Sequence, residues 1–265
     1  MKALVWCVLI LLAATPLSSR AATARVNGVT LHYTVQGAGE PLVLLHGFGS
    51  CGATWADTAQ RLAQRYRVIT VDARGHGAST NPGGKFRHDQ AADDIRALLD
   101  ELKISSARAM GFSSGGITLL HLATRNPERL SKMVVVAAST GFPDQARAIL
   151  QSAAIDTLPP DVLAGFRKCA ARGEPQVRAL VDQFRALGFS TDDTDFQAAD
   201  LARITAKTLI VHGDRDLFFP VSIPVGMYGA IKDAALWIVP NGEHSPTAGA
   251  APEDFMRTAE GFLAD

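Results

Sequence analysis

The chain has 265 residues, of which 47% are hydrophobic, and it carries 26 basic and 26 acidic side chains. This length and apolar content suit one globular domain with a small insertion, because together they can fill a sizeable core. The balanced charge argues against nucleic acid or an anionic membrane surface as a partner.

The first two dozen residues are typical of a secretory signal peptide. Lys2 supplies a positive charge, Ala3–Ala14 is almost wholly apolar, and Ala22–Ala24 fits a small-residue cleavage site. The apolar run is shorter than the roughly 20 residues of a membrane span. We therefore expect residues 1–24 to be removed on export to the periplasm or the medium. The mature protein would begin near Arg25 without a membrane segment, and an uncleaved N-terminal anchor is the alternative.

The next segment predicts a hairpin followed by a parallel sheet. Asn27-Gly28 between two apolar runs is a strong two-residue hairpin signal, which indicates an antiparallel start. From Leu42 onward, apolar strand runs alternate with helical patterns, as in βαβ units whose sheet is covered on both faces. The helical patterns cover approximately Thr54–Arg65, His88–Leu102, Ser114–Arg125, Ser222–Ile231 and Pro252–Leu263.

The alternation stops between Phe142 and Leu201. Apolar residues recur there at the spacing of several short amphipathic helices, with breaks at Pro159-Pro160 and Gly188–Ser190. We expect a helical insert over residues 142–203. The two parts of an α/β core, residues 25–141 and 204–265, would flank it. A helical decoration with no part in a functional site is the alternative.

The pattern Gly-Phe-Ser-Ser-Gly at Gly111–Gly115 points to chemistry. It follows an apolar run and precedes a helical pattern, so it predicts a strand, a sharp turn with Ser113 at its apex, and a helix. The flanking glycines are needed because the strained serine backbone leaves no room for neighbouring side chains. Ser114 does not fit this frame, because Phe112 stands two residues before it. The pattern is that of a nucleophile elbow.

The chain resembles the α/β-hydrolase superfamily from about Val26 to Leu263, because five of the family's motifs occur here in the family's order. The resemblance implies an α/β fold with a mostly parallel twisted sheet of about eight strands, and a helical lid inserted after the sixth strand. The five motifs are His46-Gly47-Phe48, Asp72–Ser79, Gly111–Gly115, Gly213–Asp216 and the late His244.

The resemblance implies a Ser-His-Asp triad. A serine needs a base within hydrogen-bonding reach and a third group that orients the base. Ser113 is the expected nucleophile, and His244 is the expected base because it alone among the histidines follows the acid segment. The family's frame places the acid at Asp216 and makes Asp214 a turn residue. Asp144 is a further candidate, because some relatives carry the acid after the preceding strand.

The oxyanion donors and the loop that supports the site are also implied by the resemblance. The backbone N–H groups of Phe48 and Ser114 would stabilise an oxyanion. Arg74 would tie loops together without contacting a substrate, and His46 would buttress the oxyanion turn. No cluster has metal-ligand spacing, and we expect neither a metal nor another cofactor. The side chains expected to line a substrate pocket are Phe142, Phe166, Phe184 and Phe218.

These features predict an exported serine hydrolase that cleaves a small, largely apolar carboxylic ester or lactone through an acyl-enzyme. Three alternatives share the fold: a carbon–carbon bond hydrolase of the meta-cleavage product type, a cofactor-free haloperoxidase or perhydrolase, and a ligand-binding sensor. Epoxide hydrolases and dehalogenases are disfavoured, because those relatives carry Asp where this chain has Ser113.

Two cysteines lie beyond the leader, Cys51 and Cys169. Export would permit a disulfide, but so large a separation does not assign one. Two separate buried thiols are the favoured expectation, with a bridge between the His46–Phe48 turn and the insert as the alternative.

Overall fold

A computed structural model describes residues 19–246 and 252–264 of the chain. In this part of the chain the strands form one eight-stranded sheet with the order β1-β2-β4-β3-β5-β6-β7-β8. Only β2 runs antiparallel to its neighbours, and the remaining adjacent pairs are parallel. The predicted mostly parallel sheet is therefore confirmed. The strands are β1 Arg20–Val26, β2 Val29–Gln36, β3 Glu40–Leu45, β4 Tyr66–Val71, β5 Ala107–Phe112, β6 Leu130–Val136, β7 Lys207–Gly213 and β8 Ala234–Val239.

The helices agree closely with the periodic patterns. Four of the five predicted core helices match within one residue at each end. The exception is the first, predicted over Thr54–Arg65: it begins as a 3-10 helix at Gly52–Trp55, and its α-helical part ends at Leu62, before the chain turns toward β4. The α-helices are α1 Ala56–Leu62, α2 His88–Glu101, α3 Ser114–Arg125, α4 Asp144–Gln151, α5 Pro160–Cys169, α6 Glu174–Leu187, α7 Ala198–Leu201, α8 Ser222–Ala230 and α9 Pro252–Ala264.

The predicted hairpin joins β1 and β2, with Val26 opposite Val29. Asn27 and Gly28 have φ values of 45° and 77°, the left-handed conformation that a tight two-residue turn requires. β1 begins at Arg20, and Ala24 within it is buried against the core. The predicted boundary between leader and core, after Ala24, therefore falls inside β1. Residues 1–18, which include most of the predicted leader, lie outside the described residues.

Alternate side chains of the strands enter two separate cores. Val43 and Leu45 of β3 face the core that contains α2, α3 and α8, whereas Leu42 and Leu44 face the core that contains α1 and α9. Burial on both faces explains why the parallel strands read as continuous apolar runs. Among the described residues, no helix combines the length and apolar content needed to cross a membrane.

The insert, residues 142–203, contains α4 to α7 and connects β6 to β7. It has a small core of its own, formed by α5 and α6 around Phe166, Val177 and Leu180, and Phe48 packs against this core.

Cys51 and Cys169 form a disulfide, with their Cα atoms 5.5 Å apart. The expectation of two separate thiols was wrong. Cys169 ends α5, and the fold brings that end onto the segment after β3, where Cys51 precedes the 3-10 helix. The bridge covalently ties the insert to the loop that carries Phe48.

Candidate active site

The turn between β5 and α3 has the geometry that its glycines allow. Ser113 has φ 52° and ψ −116°, a conformation that L-residues seldom adopt. A Cβ atom on Gly115 would lie 2.3 Å from the carbonyl oxygen of Leu45, and one on Gly111 would lie 2.6 Å from the Gly115 backbone. The Ser113 N–H donates to the Val136 carbonyl at 2.8 Å. The serine is therefore held at the carboxyl edge of the sheet, where ligands of open α/β sheets bind.

Ser113, His244 and Asp216 are hydrogen-bonded in series. The Ser113 Oγ lies 3.0 Å from His244 Nε2, and His244 Nδ1 lies 2.8 Å from Asp216 Oδ2. Asp216 follows β7 and His244 follows β8, so three separate strand ends supply the three side chains. The structure brings together the three residues that the sequence proposed as a triad.

The Asp216 carboxyl is completely buried and fully hydrogen-bonded. Its Oδ1 accepts the backbone N–H groups of Phe218 and Phe219 at 2.8 and 3.2 Å, and its Oδ2 faces His244. Burial raises the pKa of Asp216, but the hydrogen bond and charge of His244 and the two N–H donors together lower it below its ordinary value. An ionised Asp216 requires His244 Nδ1 to carry a proton, which leaves Nε2 of a neutral ring as an acceptor facing Ser113.

The other candidate acids are elsewhere. Asp214 is exposed and lies 3.9 Å from Arg215 Nε, and Asp144 is exposed in the first turn of α4. Neither contacts His244 in the described part of the chain. His212 is buried beneath the acid, where its Nε2 lies 2.9 Å from the Phe219 carbonyl. Burial lowers the pKa of His212, so a neutral ring supports the turn that carries Asp216.

The turn after β3 is held by His46, as expected for a buttress. His46 Nε2 accepts the Ala73 N–H at 3.0 Å, so Nδ1 donates to the Gly47 carbonyl at 2.8 Å. Burial lowers the pKa of His46, in keeping with a neutral ring. The N–H of Ser114 lies in the first turn of α3, where backbone N–H groups have no acceptor within the helix. The N–H of Phe48 has no acceptor within the described chain. Both donors are available at the edge of the cavity described below.

The side chains of Asp72 and Arg74 hold the Asp72–Ser79 segment in place, although Arg74 ties it to helix α2 and not to another loop as expected. Asp72 accepts the backbone N–H groups of Gly52 and Ala78 at 2.7 and 2.9 Å. Arg74 makes two hydrogen bonds of 2.8 Å to the buried Asp94 on α2. The guanidinium is thus fully engaged with α2.

A cavity of about 220 Å³ lies over Ser113 and His244, and all four predicted phenylalanines line it. The insert supplies three of them, Phe142, Phe166 and Phe184, and Phe218 follows the acid. The structure adds walls that the sequence did not reveal, because helix periodicity gives the buried face of an amphipathic helix but not the element it covers. The added residues include Phe48, Ile117, Leu150, Val162, Leu187 and Phe219, together with the polar Ser50 and His88.

Aromatic rings surround the imidazole of His244. The rings of Phe218 and Phe112 have centroids 4.7 and 5.4 Å from it. This packing leaves a quarter of the His244 side chain exposed while covering its partner Asp216. Among the described residues, no group of three or more His, Cys, Asp or Glu side chains converges as a metal site would require.

Comparison with known proteins places this geometry in context. The family model described as the alpha/beta hydrolase fold matches residues 40–168. The pimeloyl-[acyl-carrier protein] methyl ester esterase of Vibrio cholerae is 35% identical over 213 residues, which cover 77% of this chain and 80% of that protein. Serine hydrolase BPHL of Homo sapiens is 30% identical over 260 residues, covering 93% and 87%. The solved structure of Est816, described as an N-acyl homoserine lactone degrading enzyme, superposes with a TM-score of 0.71 at 26% identity and covers 91% of this chain and all of that one.

Proposed function

We propose that this chain, which belongs to the α/β-hydrolase fold family, is an exported serine hydrolase that cleaves a small, largely apolar carboxylic ester or lactone. The observation that carries the proposal is the Ser113–His244–Asp216 series, which ends in an apolar cavity with Ser113 at a strained turn. Relatives and structural neighbours named for ester and lactone cleavage support the same reaction class.

Ser113 acts as the nucleophile. Nε2 of His244 takes the hydroxyl proton as Ser113 Oγ bonds to the carbonyl carbon, and the proton is then given to the departing alkoxide. Asp216 fixes the tautomer with the proton on Nδ1 and stabilises the imidazolium that forms. Water then attacks the acyl-enzyme with His244 again as base, which releases the acid and restores the Ser113 hydroxyl.

The backbone N–H groups of Phe48 and Ser114 stabilise the tetrahedral intermediate. Both residues border the cavity beside Ser113, and neither N–H is used inside the described chain. Fixed N–H donors in a dry site can lower the barrier by several kcal/mol, about 3 for one donor. The His46 bridge to Gly47 and Ala73 holds the loop that presents Phe48.

The cavity limits the substrate. Its 220 Å³ lies below the range of about 300–1,000 Å³ that is usual for drug-sized ligands, and phenylalanines form much of its wall. An acyl or alcohol part of a few carbons fits this volume, whereas a charged group would lose its hydration without compensation. We therefore propose that the part of the ester or lactone that binds in this cavity is short and uncharged.

Export is supported by the leader-like sequence and by the disulfide between Cys51 and Cys169, since disulfides persist mainly in oxidising compartments. Cleavage after Ala24 would remove five of the seven residues of β1. We therefore place the mature N-terminus at or before Arg20. N-terminal sequencing of the native protein tests this: Arg25 as first residue would contradict the placement, and Met1 would contradict cleavage.

Enzyme and sensor are separated by kinetics. The purified mature protein should release p-nitrophenol from p-nitrophenyl butyrate with turnover beyond one equivalent, and Ser113→Ala should remove that turnover. A single stoichiometric burst would favour a sensor with a stable acyl adduct. Faster cleavage of a vinylogous diketone than of any ester would instead favour a carbon–carbon bond hydrolase.

A further inference from the structure

A second Ser-His-Asp series lies beside the first. The Ser114 Oγ is 2.9 Å from His88 Nε2, and His88 Nδ1 is 2.5 Å from Asp193 Oδ2. Ser114 is 6% exposed, and His88 and Asp193 are each 1% exposed. None of these contacts belongs to the catalytic series, and His88 carries no sequence motif.

Three elements meet at this series. Ser114 begins α3, His88 begins α2, and Asp193 belongs to the insert in the segment after α6. The second carboxylate oxygen of Asp193 accepts the His88 backbone N–H at 2.8 Å, and its carbonyl oxygen lies 2.7 Å from His121 Nε2. Asp193 and His88 are therefore held rigidly, and Ser114 is the last member of the series.

The proton positions leave Ser114 with unused hydrogen-bonding capacity. Burial raises the pKa of Asp193, but the hydrogen bonds and charge of His88 have the larger, opposite effect, so that the pKa lies below its ordinary value. Asp193 is therefore a carboxylate, and His88 Nδ1 donates to it. His88 Nε2 faces one hydroxyl. A hydroxyl has one proton and two lone pairs, so Ser114 Oγ keeps at least one site for another partner.

Both Ser114 and His88 line the cavity over Ser113. Apart from the nucleophile and base, the only other side chain with a polar group lining this cavity in the described chain is Ser50, which donates to Thr54 at the exposed end of the loop. A polar group in a dry, apolar wall favours a ligand that hydrogen-bonds to it over an isostere that does not.

We propose that Ser114, held by His88 and Asp193, is a subsite for a hydroxyl group on carbon 2 or 3 of the acyl part of the substrate, so that the enzyme prefers esters or lactones of short hydroxy acids. This inference rests on the proposed function and deepens it. A hydroxyl can both donate and accept, so it pairs with Ser114 whichever way the Ser114 proton points. Ser114 adjoins Ser113 in the chain and lines the same cavity, so we expect the subsite to accept a group close to the scissile carbonyl.

The test compares two pairs of p-nitrophenyl esters on the full mature protein: 3-hydroxybutyrate with its near-isostere 3-methylbutyrate, and 2-hydroxybutyrate with its near-isostere 2-methylbutyrate. In the better of the two pairs, the wild type should show a kcat/KM for the hydroxy ester that exceeds the value for its methyl isostere by about tenfold or more, the size expected for one hydrogen bond in an apolar pocket. The ratio cancels differences in enzyme concentration and in triad efficiency.

Ser114→Ala should bring that ratio close to 1, since it removes the hydroxyl and keeps the backbone N–H. Ser50→Ala is the matched control, a serine lost from the same cavity, and it should keep the wild-type ratio. Asp193→Asn, which leaves Ser114 in place but weakens its support, should give an intermediate ratio. Thermal melts of each variant establish that it is folded.

The outcomes separate the two proposals. Ester hydrolysis with a wild-type ratio near 1, or with the ratio intact in Ser114→Ala, would overturn the hydroxyl subsite and leave the hydrolase standing; it would make the second series a structural tie alone. Absence of any ester hydrolysis would overturn the proposed function and the subsite with it.

Discussion

Ser113 and Ser114 are neighbours, and each is hydrogen-bonded to a histidine that is hydrogen-bonded to a buried aspartate. Ser113 stands at the strained apex before the helix, and its histidine lies on a loop with a quarter of the side chain exposed. Ser114 is already helical, and its histidine is 1% exposed in a helix. A base must reach both the nucleophile and the leaving group, which the loop histidine can do and the enclosed one cannot.

The two series also differ in the elements that hold them. Three strand ends of the sheet position Ser113, Asp216 and His244, whereas the second series spans two helices and the insert through Asp193. The sheet is buried on both faces. The insert has a small core of its own, and it is attached to the rest of the molecule by the disulfide, by apolar side chains such as Leu150 and Leu187 in the main core, and by the Asp193–His88 contact. The insert therefore reaches the second series only through Asp193, whereas all three members of the first series lie outside it.

The largest expected difference between the two series is in the rate of plain ester hydrolysis. Ser113→Ala should lower kcat/KM for p-nitrophenyl butyrate by about 10⁴ or more, because it removes the nucleophile. Ser114→Ala should cost less than about tenfold, since it keeps the backbone N–H donor. Steady-state kinetics on folded variants measures both, and equal losses would contradict the separation of roles.

The two aspartates provide the next contrast. Asp216→Asn should lower kcat by up to about 10⁴, because an amide favours the wrong tautomer of His244. Asp193→Asn should change plain ester turnover far less, and the exposed Asp214→Asn serves as the matched surface control. If Asp214→Asn were nearly inactive and Asp216→Asn active, the acid would be Asp214, and the assignment of Asp216 to the first series would be wrong.

The disulfide should matter for stability. Replacing Cys51 and Cys169 together by serine should lower the free energy of unfolding by about 2–5 kcal/mol, because the bridge closes a loop with a sequence separation of 118 residues. Urea denaturation of the double variant against oxidised wild type measures the loss. An unchanged midpoint would show that packing alone fixes the insert.

Acid should destabilise the fold through four histidines outside both series. Burial lowers the pKa of His76 to about 3, and burial also lowers the pKa values of His46, His121 and His212. The unfolded chain binds these protons below its ordinary histidine pKa of about 6.5, whereas the folded chain does not. These histidines should therefore contribute no pH dependence to the free energy of unfolding above that pH.

Below pH 6.5 the free energy of unfolding should fall by up to about 1.4 kcal/mol per pH unit for each such histidine. The fall continues until the pH reaches the pKa of that histidine in the folded chain. Urea titrations at pH 7, 6 and 5 measure the slope, and His76→Gln should make it shallower. A free energy that rises between pH 7 and 5 would contradict the neutral assignment.

The first series could be predicted from sequence because each member follows an apolar strand within a local motif. The glycines around Ser113 and the Gly-x-x-Asp frame of Asp216 mark the turns themselves, and His244 had no competitor beyond the acid. The second series gave no such signal. His88 and Asp193 meet across 105 positions, through the placement of the insert on α2, and neither lies in a turn motif.

The cysteine pair and the first strand show the same limit. Cys51 and Cys169 become neighbours only when α5 docks on the loop after β3, which depends on packing between the insert and the core. The small residues at Ala22–Ala24 are compatible both with a cleavage site and with a strand. In the folded chain these residues pair with β2 and are part of a strand.

Active-site labelling tests the central claim most directly. A p-nitrophenyl alkylphosphonate should inactivate the wild type with release of one equivalent of p-nitrophenol, and peptide mass spectrometry should place the adduct on Ser113. Ser114→Ala should be labelled at the same residue, and Ser113→Ala should remain unlabelled. An adduct on Ser114, or full inactivation of Ser113→Ala, would contradict the assignment of the nucleophile.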